Sequence, residues 1–183
     1  MTNSLRREDA EDINLRLGLA EHAAGEQFTR LAFELEHRKP PIRIEFSEIS
    51  PAKAIRLVSR KKNYAAVVLE TAMAPGLKVT HAWSEPLVLL APLGHALGSR
   101  DRVSLTEIKT ERFVLPDPKY SPGCAAQLET LFLRYGVRPD RRVNVEHQNA
   151  MTSLVAAGQG LAFLPGSIAE GLTTVVVVPV SVV

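Results

Sequence analysis

One cysteine and five histidines are the side chains in this 183-residue chain best suited to nucleophilic or metal chemistry. Cys124 follows Ser121-Pro122-Gly123, a helix-opening run, and a helix amino terminus favours a thiolate. A nucleophile also needs a positioned base, and none of His22, His37, His81, His95 and His147 adjoins it in sequence. A lone cysteine more often serves as a small buried apolar residue, and Cys124 is read that way. Glu21-His22, Glu36-His37 and Glu146-His147 pair ligand types, but adjacent residues point apart on a helix or strand. No two pairs form a zinc framework, so no metal is expected. Gly158-Gln159-Gly160 lacks the Lys-Ser/Thr of a phosphate loop and the third glycine of a dinucleotide fingerprint. It follows a helix and precedes a strand, the reverse of what phosphate binding requires. It reads as a helix C-cap turn, and no cofactor is expected.

More informative are four polar corners, each lying after a strand and before a helix. They are the loop Glu21-His22-Ala23-Ala24-Gly25, then Ser50-Pro51, then Ser121-Pro122-Gly123, and Gln148-Asn149. Each sets hydroxyls, amides or free backbone N–H groups at a positive helix end. Ser and Asn cap helices everywhere, and capping alone accounts for any one corner. Together, facing one cleft, they suit a small anion, above all a carboxylate.

The elements that must hold these corners follow from periodicity. Leu15 to Ala20 is a short apolar strand. From about Gly25 to His37, Phe28, Leu31, Ala32 and Leu35 recur at helical spacing, and Pro40-Pro41 stops that helix. Ile42 to Ile49 alternates as a half-buried strand. Pro51 opens a helix through Ala54, Leu57 and Val58, and Tyr64 to Leu69 is an apolar third strand suited to a parallel sheet. The order is βαβαβ. A second series follows: strand Leu87 to Pro92, a polar loop from His95 to Arg102, and a turn at Ser104-Leu105-Thr106-Glu107 with capping-box spacing. Strand Arg112 to Leu115 leads to a helix with apolar face Leu128, Leu131, Phe132 and Tyr135, ended by Gly136. Strand Val143 to Glu146, helix Ala150 to Ala157, strand Leu161 to Leu164 and strand Thr173 to Val178 complete it. Residues 38–58 and 138–155 share a basic-proline turn, an alternating strand, a polar corner and an apolar-faced helix. We read two similar α/β lobes, with ligand at the carboxyl ends of the strands.

Composition narrows the function classes. Apolar residues make up 45% and charged residues 23%, as in an ordinary globular domain. A formal charge of +2 and ten Phe, Tyr and Trp residues in all give no basic, aromatic-rich nucleic-acid surface. The polar leader 1–12, expected to be flexible, has no signal-peptide character. No apolar run approaches the roughly 20 residues of a membrane helix. A cytoplasmic protein is expected.

LRLGLA, IEFSEIS, EPLVLLAPLGHAL, RFVLPDPKYSPG and SLVAAGQGLAFLPGSIA, in that order, resemble the effector-binding domain of LysR-type transcriptional regulators. The resemblance covers about residues 13–178. It implies the two-lobed fold of the type II periplasmic binding proteins. Residues 13–87 and 162–183 would form lobe I and 88–161 lobe II, with hinge crossovers at Leu89, Leu90 and Ala91 and at Phe163, Leu164 and Pro165. A small effector, an organic acid or amino-acid-like molecule, would bind between the lobes. Glu21, His22, Ala23, Ser50 and Pro51 would line one side, and Ser121, Pro122 and Gly123, with Gln148 and Asn149, the other.

The resemblance further implies a homodimer whose geometry responds to ligand. DNA contact would come only through a helix-turn-helix domain that these 183 residues do not contain. The family also commonly continues past VVVVPV with another strand and helix on lobe I. It commonly has glycine and then an acidic residue near Lys62-Asn63-Tyr64, and often a hydroxyl residue where Pro51 stands. Glu21 would oppose an anionic effector unless it meets a ligand amine. The alternatives are a regulator fragment acting only by dimerisation and a free-standing solute-binding protein. No acid-base constellation supports an enzyme.

Overall fold

Three parallel strands and two helices open the chain. β1 (Ile13–Leu19) runs between β2 (Ile42–Glu48) and β3 (Tyr64–Val67). The connections are α1 (Glu26–Glu36) and α2 (Pro51–Arg60). The computed structural model describes residues 13–20, 25–39, 42–60, 64–68, 76–140 and 142–181. The expected leader 1–12 and Leu69 at the end of the third strand lie outside them. β1 pairs with β2 from Ile13↔Ile42 to Leu19↔Glu48, and with β3 from Arg16↔Tyr64 to Leu19↔Val67. The βαβαβ order is therefore realised as read, because alternating and continuous apolar runs both suit strands flanked by helices. Leu17, Ala20, Ile49 and Ala54 are buried here. Helix α1 buries none of its residues.

The second series is larger and differently paired. It comprises β4 (Leu87–Pro92), β5 (Val103–Ser104), β6 (Phe113–Pro116), α3 (Pro122–Tyr135), β7 (Arg142–Val145), α4 (Gln148–Ala156), β8 (Ala162–Pro165), α5 (Gly166–Ala169) and β9 (Val175–Ser181). A repeat of the parallel pattern was expected. β6 pairs with β7 and β5 with β9 in parallel, whereas β4 runs antiparallel to both β8 and β9. The strand order in that sheet is β5-β9-β4-β8. The reason is directional: β4 carries the chain into this region and β8 carries it out, so side by side they must run opposite ways. Residues from 162 onward were assigned to lobe I. In the structure β8 and β9 hydrogen-bond along β4, and Phe163, Leu164, Val175 and Val178 are buried with second-series residues.

Alternation explains why these strands read as continuous apolar runs. Leu89, Ala91, Phe113, Leu115 and Phe163 face a core shared with Leu128 and Phe132 of α3. Val88, Leu90, Val114, Ala162 and Leu164 face another, shared with Met151 and Val155 of α4. Successive strand residues point to opposite faces, and both faces are covered by helices.

Local signals were obeyed closely. Gly136 ends α3 with φ 65°, its N–H reaching Leu133 O and Phe132 O. Ser104 N–H donates to Glu107 Oε2 at 2.8 Å while Thr106 N–H donates to Ser104 Oγ at 3.3 Å, completing the capping box. The polar loop from His95 to Arg102 contains a 3₁₀ turn, Ala96–Ser99, whose first N–H groups are capped by the His95 ring accepting from Leu97 N–H. Gly158-Gln159-Gly160 is the C-cap turn of α4: Gly158 N–H bonds Val155 O and Gln159 N–H bonds Leu154 O. Gly160 has a second duty. Its φ is +150°, and a Cβ there would lie 2.6 Å from Arg112 O. That close approach lets Leu161 bridge to Phe113 and join the α4 return to β6.

Candidate functional site

In both parallel sheets the helices begin at the carboxyl ends of the strands. Helix α2 starts three residues after β2, with α3 and α4 starting six and three residues after β6 and β7. Positive helix ends therefore gather along one edge of each sheet.

The second-series edge is built by a turn. Asp117 N–H donates to Val145 O at 2.8 Å, tying the end of β6 to the end of β7. Asp117 Oδ1 accepts from Lys119 N–H at 2.8 Å, and Asp117 O accepts from the N–H groups of Tyr120 and Ser121. This side-chain-to-backbone turn delivers Ser121 to the start of α3. Ser121 is only 7% exposed, and its side chain makes no capping hydrogen bond. No hydrogen bond to its hydroxyl is found among the described residues. Buried hydroxyls are normally satisfied, so one that caps nothing stands out. Pro122 occupies the first helical position and is exposed, and Gly123 is buried. Gln148 is half-buried and Asn149 exposed, in the first turn of α4. The structure thus brings Ser121, Pro122 and Gly123 to the same sheet edge as Gln148 and Asn149.

At the first-series edge, Ser50 is exposed and behaves as an ordinary cap: its Oγ accepts from Lys53 N–H at 3.4 Å. Pro51 opens α2 and is half-buried. Glu21, His22 and Ala23 lie outside the described residues. Asp117 was missed by sequence reasoning, although Asp before Pro in a strand-to-helix connection is a turn signal.

The two segments expected to form hinge crossovers lie directly against each other. Leu89 pairs with Phe163, Val88 with Leu164 and Leu90 with Ala162 in antiparallel register, and Leu87 with Pro165. Leu89, Leu90 and Ala91 are fully buried, and Phe163 and Leu164 nearly so. A cavity of about 500 Å³ is lined by Glu26, Gln27, Glu85, Ser167, Glu170 and Val177 among others.

Cys124, expected to be buried, is half-buried in α3 and packs against the second-series core. His37 pairs with Phe33 O, His81 with Ser84 and His95 with Leu97 N–H. Among the described residues no three His, Cys, Asp or Glu side chains form a metal-holding group. No helix there is long and apolar enough to cross a membrane.

The chain is similar to known transcriptional regulators. It is 25% identical over 152 residues to the HTH-type transcriptional regulator TtuA of Agrobacterium vitis, covering 82% of this chain and 50% of that protein. It is 36% identical over 95 residues to the regulator TfdS of Cupriavidus pinatubonensis, covering 52% of this chain and 32% of that protein. The chain thus spans half or less of the length of these relatives. Among solved structures, the BenM effector-binding domain with benzoate superposes with TM-score 0.77 at 19% identity, covering 91% of this chain and 77% of that one. Full-length CbnR complexed with its target DNA gives TM-score 0.84 at 15% identity, covering 94% and 61%. The fold is accordingly the two-lobed one of type II periplasmic binding proteins. The family model described as the LysR substrate binding domain matches residues 10–182, and with this fold and these relatives the chain belongs to that family.

Proposed function

We propose that this domain senses a small effector bound between its two lobes and passes that binding on to transcription. Ser121 carries the reading: a residue 7% exposed, at the head of α3, its hydroxyl not spent on capping. A carboxylate offers it an acceptor, and the dipole of the helix end reinforces the attraction. Gln148 and Asn149 add amides from the neighbouring helix. Ser50, Pro51 and the Glu21-His22-Ala23 loop would close on the ligand from the first lobe. The effector class is an organic acid or amino-acid-like molecule, in keeping with benzoate bound to the BenM domain and shikimate bound to the QuiR domain.

Ligand shifts a population: a molecule preferring closed lobes favours that state by its differential affinity alone. The antiparallel pair β4 and β8 supports a hinge at Leu89 to Ala91 and Phe163 to Pro165, since both crossings bend together. The output would be a change in homodimer geometry, read by a helix-turn-helix domain in the cytoplasm. No catalytic step is part of this reading. A thermal-shift screen against small carboxylates, amino acids and aromatic acids tests it. Dose-dependent stabilisation is expected, about 2.7 kcal/mol at a hundredfold excess over Kd. A folded chain that responds to none of them would overturn effector sensing and leave dimerisation as the role to test.

A further inference from the structure

Three segments distant in sequence meet at one carboxylate. The antiparallel pairing of β4 with β8 runs one step past Leu87↔Pro165, where Gly166 N–H donates to Pro86 O at 2.8 Å. Pro86 has no N–H to continue the ladder. The Glu85 side chain takes over, its Oε2 accepting from Ser167 N–H at 3.3 Å and from Ser167 Oγ–H. Its Oε1 accepts from Trp83 Nε1–H at 3.0 Å. Both carboxylate oxygens are therefore committed, which holds the Ser167 hydroxyl in one position.

The first-lobe chain comes close to that hydroxyl. Gly25, the residue before α1, sits so close that a Cβ on it would overlap Ser167 Oγ and come within 3.1 Å of Ser167 Cβ. Its φ of 169° is extended backbone open to any residue, so the glycine answers to the contact and not to backbone conformation. Trp83 and Glu85 lie just before β4 and Ser167 just after β8, two strands packed in the second-series cores, and Gly25 caps the first-lobe helix α1.

We propose that Glu85, Ser167 and Gly25 form a latch that seats helix α1 on the paired strands β4 and β8, whose residues pack in the second-series cores, and so sets the resting angle between the lobes. The inference rests on the two-lobe sensing reading, to which it adds how the ligand-free state is held. Loosening the latch frees the first lobe to sample other angles, and a wedge at Gly25 drives it off its seat.

The test reads the ligand-free chain. Spin labels are placed through Arg56→Cys and Arg102→Cys in a Cys124→Ala background, and labelled chains are diluted with unlabelled ones so that only distances within one chain are measured. Gly25→Ala should shift and broaden the distance distribution, and adding Ser167→Gly, which removes the overlapping atoms, should reverse the shift towards the parent. Glu85→Ala, which leaves Gly25 in place, should broaden the same distribution, and it carries the test if Gly25→Ala does not fold. A distribution unchanged in both single variants would overturn the latch, as would a Gly25→Ala shift untouched by Ser167→Gly. Because no ligand is present, a failed effector screen leaves this result standing, and a failed latch leaves effector binding intact.

Discussion

Phe113 and Phe163 stack with ring centroids 5.6 Å apart and planes 11° from parallel, and Phe132 tilts against both at 5.2 and 5.9 Å. The three rings come from β6, β8 and α3. Strand β8 is thereby fastened to the core beneath the helix whose head carries Ser121. Phe163→Ala should lower stability by about 3–5 kcal/mol, from lost burial and the cavity left behind. Urea denaturation monitored by circular dichroism checks it.

Ser121→Ala should separate binding from folding. The hydroxyl has no hydrogen bond to lose among the described residues, so stability without ligand should stay level or rise by up to about 1 kcal/mol. A hydrogen bond to a charged ligand contributes about 1.5–3 kcal/mol, so affinity for a stabilising carboxylate should fall about ten- to hundredfold. Calorimetric titration of both proteins measures this, and equal affinities would remove Ser121 from the site.

Gly160→Ala forces a side chain into a backbone conformation at φ +150° and against Arg112 O. Strain of this kind costs about 1–3 kcal/mol before the steric overlap is added. The urea midpoint should fall by more than that strain alone predicts, and an unchanged midpoint would mean that Leu161 reaches Phe113 without the close approach.

Ser104→Ala removes one half of a capping box and should cost about 0.5–2 kcal/mol. Glu45→Ala, which breaks an exposed pair with Arg16 at 2.7 Å, should cost about 0–1 kcal/mol. Thermal unfolding of the two variants side by side checks the ranking.

The elements whose boundaries were legible are those settled by near neighbours. Leu87 to Pro92 was placed to the residue, Gly136 stops α3, and the Ser104 to Glu107 spacing becomes a capping box, because each depends on groups within a few residues along the chain. The polar corners were legible as helix starts for the same reason. Which of them spends its side chain on a cap was not. Ser50 and Ser121 are the same residue type before a proline, yet Ser50 Oγ accepts a capping hydrogen bond from Lys53 N–H whereas the Ser121 side chain makes none.

Pairing across long distances was likewise decided only in three dimensions. Periodicity marks a strand and its faces but carries no partner, so nothing in VVVVPV told that β9 lies beside β4. Glu85 and Ser167 are 82 residues apart, and neither attracts notice alone. The sequence by itself determined the local conformations, the two buried faces of the central strands and the family. Tertiary structure decided strand partners, the close approach of Gly25 to Ser167 and the Ser121 hydroxyl left without a mate among the described residues, because burial and close approach are properties of neighbours in space.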